Sequence, residues 1–188
     1  MPGRAILLLL AILASTASPA GATSGRVADP DGKPLPGARA CIQVQGGEGI
    51  CADTDAEGWY RLPETSLPKV RITAAGYLPK NVAAVDQEGV IVLERAAALR
   101  ARLVDADTGE AIPKGELTLA SPSGRKRGPF PVNGAGLKVA TLSPGAVVPR
   151  GSAPGYRDAV GQEVELRAGT ETEIVLRLTR AAKATSGS

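Results

Sequence analysis

The chain has 188 residues, with 22 basic and 19 acidic side chains, 43% apolar residues and no histidine. A net charge of +3 gives little long-range attraction for nucleic acid. The missing imidazole removes His-centred triads, histidine acid–base catalysis and nearly all zinc sites.

The first residues set the compartment. "MPGR" supplies a cation, "AILLLLAILA" an apolar core and "STASPAGA" a small-residue exit, so residues 1–22 read as a cleavable secretory signal. No later run approaches the roughly 20 apolar residues that span a bilayer as a helix. The first cysteine is Cys41, far from any lipoprotein cleavage point. The expected product carries no transmembrane segment and is secreted, either periplasmic or extracellular. In such a compartment two cysteines are expected to pair.

Past the signal the pattern is duplicated. "VADPDGKPLPGARACI" from Val27 and "VDADTGEAIPKGELTL" from Val104 superpose Gly32 on Gly109, Leu35 on Ile112, Pro36 on Pro113 and Ile42 on Leu119. Further on, "AAGY" ending at Tyr77 answers "APGY" ending at Tyr156, and "VIVLER" answers "EIVLRL". A repeat of this length marks a tandem array. Within each copy the apolar period is two. Ala38, Ala40, Ile42 and Val44 share one face and Arg39, Cys41, Gln43 and Gln45 the other, as in a half-buried strand. Similar runs recur around Val27, Ile50, Tyr60, Val70, Val82 and Val92 between Gly, Pro and Asp clusters, the spacing of an antiparallel sandwich. "LERAAALRARL" has helical composition, but its place between the copies makes it strand, short link, strand.

A hairpin turning about Gly46 pairs Ala40 with Ala52, Cys41 with Cys51 and Ile42 with Ile50. The two cysteines then meet on the outer side, within reach of a cross-strand bridge. The second copy has Thr118 at the Cys41 position and no cysteine.

"CADTDAEGWYRLPE" follows. Asp53, Asp55, Glu57, Gly58 and Glu64 match an EF-hand calcium loop in order. An extended segment at about 3.3 Å per residue would carry Glu64 about 20 Å beyond Gly58, too far to close one coordination sphere. A tight turn uses the same letters, Asp bonding nearby amides and Gly taking positive φ. The turn is the leading expectation, and calcium at Asp53, Asp55 and Glu57 the alternative. "DPDGKP" and "DADTGE" read as turns likewise. Parity then places Tyr60 and Leu62 inward and Trp59 and Arg61 outward. An exposed indole beside a cation can stack on a sugar ring or simply cover the sandwich edge. In the second copy Gly136 falls on Trp59, so the feature is not duplicated. Tyr77 and Tyr156 read as structural corners. "GRKRG" at residues 124–128 reads as a solvated tip, and Ser121, Ser123 and Ser143 have no identifiable base.

"GRVADPDGKPLPGARACI", "TDAEGWYRL", "VRITAAGYLPKNV" and "VIVLE" together resemble the carboxypeptidase regulatory-like domain family, transthyretin-like seven-stranded sandwiches grouped with carbohydrate-binding-like folds. The resemblance covers residues 25 to 94. The second copy matches in "ARLVDADTGEAIPKGELTL" and "SAPGY" and departs where Pro149 and Gly151 are expected to interrupt the strand made by Val70 and Ile72 in the first. The resemblance implies an all-β protein of two tandem, antiparallel Greek-key sandwiches at 23–95 and 96–180, with a disordered tail at 181–188.

The functional expectation is an exported, non-catalytic binding or structural module of the cell envelope or extracellular space. Carbohydrate is the ligand class the resemblance implies, through Trp59 and Arg61. The alternative is a protein-interaction or scaffold module with no small ligand. A polysaccharide or an envelope protein would be the partner, nucleic acid would not, and no cofactor is required.

Overall fold

A computed structural model describes residues 23–44, 46–63, 69–83 and 89–182. The signal at 1–22, residues 183–188 of the tail expected at 181–188, and Glu64 lie outside the described residues, while the Ala181 N–H bonds the Gly155 carbonyl. The protein is all-β, with no helix among the described residues and therefore none long and apolar enough to cross a membrane.

Seven strands make the first sandwich: β1 (Thr23–Ala28), β2 (Arg39–Val44), β3 (Gly47–Asp53), β4 (Trp59–Leu62), β5 (Lys69–Thr73), β6 (Lys80–Ala83) and β7 (Val90–Val92). They form a sheet of order β4-β1-β7 and a second of order β3-β2-β5-β6. The second sandwich contains β8 (Ala97–Asp105), β9 (Lys114–Ala120), β10 (Lys126–Asn133), β11 (Leu137–Leu142), β12 (Gly145–Ser152), β13 (Ala159–Val160), β14 (Val164–Leu166) and β15 (Glu171–Leu178). Its orders are β11-β8-β15 and β10-β9-β12-β13, with β14 added beside β12. In both copies the first strand pairs antiparallel with the fourth and parallel with the last. The duplication seen in sequence is thus a duplication of topology, with an eighth strand, β14, in the second copy.

Alternation builds each core. Val27, Ala40, Ile42, Tyr60, Leu62, Val70, Ile72 and Leu93 bury together in the first. Leu99, Leu103, Leu117, Leu119, Leu142, Leu166 and Leu178 do so in the second. Each fully buried large side chain contributes about 1.5–3 kcal/mol, so each sandwich has its own supply of burial energy. Tyr60 lies directly across from Gly25, where a Cβ would stand 2.7 Å from the tyrosine hydroxyl. Only glycine leaves room for that ring. Between the cores Ala96 is shared: its N–H donates to the Gly76 carbonyl and its carbonyl accepts from the Gly169 N–H.

Three sequence expectations need correction. First, Arg39–Asp53, Ala40–Ala52 and Cys41–Cys51 pair as expected, but the register then shifts, giving Gln43–Glu48 and Val44–Gly47. The bulge breaks the apolar pair of Ile42 with Ile50, and Ile50 and Val44 stand 59% and 39% exposed. Second, Pro149 and Gly151 do not interrupt a strand, because β12 runs unbroken from 145 to 152. Ala40 faces Ile72 in the first copy, whereas Leu117 faces Gly151 in the second. The large and small partners have exchanged strands, conserving volume in a close-packed interior. Third, the constant offset holds only from Gly32 and Gly109 onward. Leu35 N–H bonds to the Val27 carbonyl and Ile112 N–H to the Leu103 carbonyl, so Leu103, not Val104, occupies the place of Val27.

The disulfide Cys41–Cys51 is present, with Cα atoms 4.1 Å apart. Cys41 faces away from the core as parity requires, yet it is only 2% exposed. Its register partner on β5 is Arg71, a long side chain on the same outer face.

Candidate functional site

The buried charges come first, because burial of an unpaired carboxylate is costly. Asp29 and Asp105, 4% and 2% exposed, occupy equivalent places at the end of the first strand of each copy, Asp29 just past β1 and Asp105 the last residue of β8. In each, Oδ1 accepts backbone N–H groups of its own turn: Asp31 and Lys33 for Asp29, Asp107 and Thr108 for Asp105. This is the turn chemistry expected of "DPDGKP" and "DADTGE". The second oxygen reaches much further along the chain. Asp29 Oδ2 accepts from Arg95 at 2.8 Å, and Asp105 Oδ2 accepts from Arg180 Nε at 2.6 Å and from the Tyr156 hydroxyl at 3.0 Å.

Tyr77 and Arg95 form a backbone bridge, as do Tyr156 and Arg180. Each copy therefore closes with an Asp–Arg clasp beside a bridged tyrosine, which ties a residue shortly after the last strand to the first turn; in the second copy the tyrosine hydroxyl also reaches the aspartate. The structural-corner reading of the two tyrosines holds. The arginine half of the clasp was missed, although Asp29, Tyr77 and Arg95 recur in order as Asp105, Tyr156 and Arg180.

These contacts move titrations. The Arg95 guanidinium holds the Asp29 carboxyl below its ordinary value, assisted by the turn amides and opposed by burial. Arg180, then the Asp107 N–H, hold Asp105 well below the usual carboxylate range. Glu171 is lowered by Lys138 and Arg100. A carboxyl depressed in the folded state stabilises fully above its unfolded value and loses that contribution as pH falls through the folded one. Stability is thus expected to be flat from pH 7 to about 5 and to fall progressively below about pH 4. Chemical denaturation across that range checks it; an equally steep loss above pH 5 would contradict the clasps.

The acidic turn uses its oxygens locally. Asp55 Oδ1 accepts the Glu57 N–H at 3.1 Å and the Trp59 N–H at 2.8 Å. Gly58 takes φ +83°, and a Cβ there would meet the Val27 carbonyl at 2.4 Å. Asp53 lies 3.8 Å from Arg39. Among the described residues no three His, Cys, Asp or Glu side chains group as a metal site would require.

What the core and clasps leave over is the outward face of the sheet β4-β1-β7. Trp59 is 42% and Val90 48% exposed, with Val92 beside them. In register, Arg26 lies between Trp59 and Val90, and Arg61 follows two residues after Trp59, pointing the same way. Arg26 Nε donates to the Glu57 carbonyl at 2.9 Å. The equivalent face of the second copy is occupied by ion pairs: Arg100 Nε lies 2.8 Å from Glu171 and 3.6 Å from Glu173, and Lys138 closes on Glu171. That face also carries Val175, 50% exposed and beside Arg102 in register, so the two copies differ in the ion pairs of the second and the indole of Trp59 in the first.

No protein-family model and no curated protein matches the sequence. Solved structures do show similarity. The Bacillus anthracis TIE protein gives a TM-score of 0.40 and 20% identity over 84% of this chain and 34% of that one. A streptococcal ancillary pilin gives 0.38 and 14%, over 88% and 64%. The shaft pilin SpaA of Lactobacillus rhamnosus GG gives 0.42 and 11%, over 86% and 97%. The chain spans about a third of the first of these and just under two thirds of the second.

Proposed function

We propose that the protein is an exported, non-catalytic structural and interaction module, two tandem sandwiches at 23–95 and 96–180, of the carboxypeptidase regulatory-like type. The observation that carries this reading is the allocation of its polar chemistry. Both buried carboxylates are bound into clasps, the acidic turn bonds its own backbone, and the remaining distinctive surface is Trp59 with Arg26, Arg61, Val90 and Val92. Such a face has the aromatic and arginine content of interaction hot spots. The disulfide supports an oxidising compartment.

A protein partner is favoured over a glycan by the aromatic census. Tyr60 is buried in the core, Tyr77 and Tyr156 serve the clasps, and Phe130 packs on the second core. Trp59 stands alone, without a second ring for an oligosaccharide to bridge.

A photo-crosslinking residue placed at position 61 tests this in the native envelope. One defined protein adduct is expected, lost in Trp59→Ala while the fold is retained. No adduct, together with saturable Trp59 fluorescence changes on a glycan panel, would overturn it in favour of carbohydrate.

A further inference from the structure

The hairpin tip of the second sandwich departs from its counterpart. Where the first copy turns through "VQGGEG", the second turns through "ASPSGRKRG". The tip is held by the Ser121 N–H to the Arg125 carbonyl and the Gly124 N–H to the Ser121 carbonyl. Arg127 is exposed at the base of this tip, across from Leu119, and its guanidinium donates to the Thr141 carbonyl at 3.1 Å. It therefore reaches from the larger sheet to the end of β11 in the smaller.

Beneath it lies a cavity of about 220 Å³ whose rim carries Arg125, Arg127, Ser121, Ser123 and Ser143. Its floor includes Leu142 and Leu166. Ser121 and Ser123 hold each other at 2.8 Å between their hydroxyl oxygens, which fixes both at the rim. Among the described residues the carboxylates pair with Arg39, Arg95, Arg100, Lys138 and Arg180, and none with Arg125 or Arg127.

We propose that this cavity binds a phosphate monoester with an apolar group of a few carbons. Two guanidinium groups without a carboxylate partner and three serine side chains line one opening. Arginine and hydroxyl donors match the several acceptor oxygens of a phosphate better than the two of a carboxylate. The volume lies below the roughly 300 Å³ of sites for drug-sized molecules and suits a small organic anion over the leucines. The site is in the other sandwich from Trp59 and stands independently of the partner surface proposed there.

The test is a two-dimensional NMR titration of the mature chain with propyl phosphate, inorganic phosphate and butyrate, at about 0.15 M ionic strength so that general charge attraction is screened. Saturable shifts are expected in the amides of Ser121–Arg127 and Ser143–Ala146, strongest with propyl phosphate. Arg125→Ala/Arg127→Ala should weaken binding about tenfold or more. Arg125→Gln, on an exposed side chain, provides the same reading with about tenfold loss should the double variant fail to fold. Shifts scattered over all basic surface residues, equal binding of butyrate, or affinity unchanged in the variants would overturn the proposal.

Discussion

Replacing the disulfide by Cys41→Thr/Cys51→Ser is expected to lower the stability of the first sandwich by about 2–3 kcal/mol and leave the second unchanged. The bridge closes a loop between residues ten apart, and removing such a constraint restores chain entropy of about that size to the unfolded state. Thr at position 41 is the residue the second copy carries at the equivalent place, Thr118, so the substitution suits a strand of this kind. For a domain of this size the melting midpoint should drop by roughly 10–20 °C. Trp59, the single tryptophan, lies in the first sandwich and reports its melting specifically. A fluorescence midpoint unmoved by the double substitution would mean that the bridge adds nothing to this fold.

The second large effect is expected at the clasp of the other copy. Asp105→Ala would leave the Tyr156 hydroxyl and the N–H groups of Asp107 and Thr108 without their acceptor in a part-buried corner, and losing several such bonds at once is destabilising. The midpoint of the second sandwich should fall by about 10 °C. Asp29→Ala should cost less, because Arg95 also binds the exposed Asp31 and keeps a carboxylate partner after the change. Differential scanning calorimetry of the two variants checks the order. If Asp29→Ala proved the more damaging, the clasps would not work as their geometry implies. Arg180→Ala, which removes the outer half of the same contact, should fall between Asp105→Ala and wild type.

The legible parts of this structure were those set by neighbours in sequence. The alternation in "ARACIQVQ" and "WYRL" gave the inward and outward faces, since successive side chains on a pleated strand must oppose, and it placed Trp59 outside, Tyr60 inside and the cysteines together. The acidic turn was legible because its Asp bonds amides two and four residues on. The less legible parts depend on partners far along the chain. One oxygen of Asp105 bonds locally and could be read; the other goes to Arg180, 75 residues away. Gly151 looked like a strand breaker because nothing local says that Leu117 fills its space from β9. The lost pairing of Ile42 with Ile50 has the opposite cause, a local one: the Gly46–Gly47 tip closes the hairpin in a register that demands a bulge. The exposure of Arg125, Lys126 and Arg127 was legible in "GRKRG", whereas the reach of Arg127 to the Thr141 carbonyl depends on a strand further along the chain.

Acrylamide quenching of Trp59 tests most directly the claim that one sheet of the first sandwich offers an unfilled outward face. With the indole about two-fifths exposed, substantial quenching and partly red-shifted emission are expected for the folded protein, with a further red shift on unfolding. Weak quenching with blue-shifted emission that rises only on denaturation would contradict it, because Trp59 would then be a core residue and no partner surface would exist there.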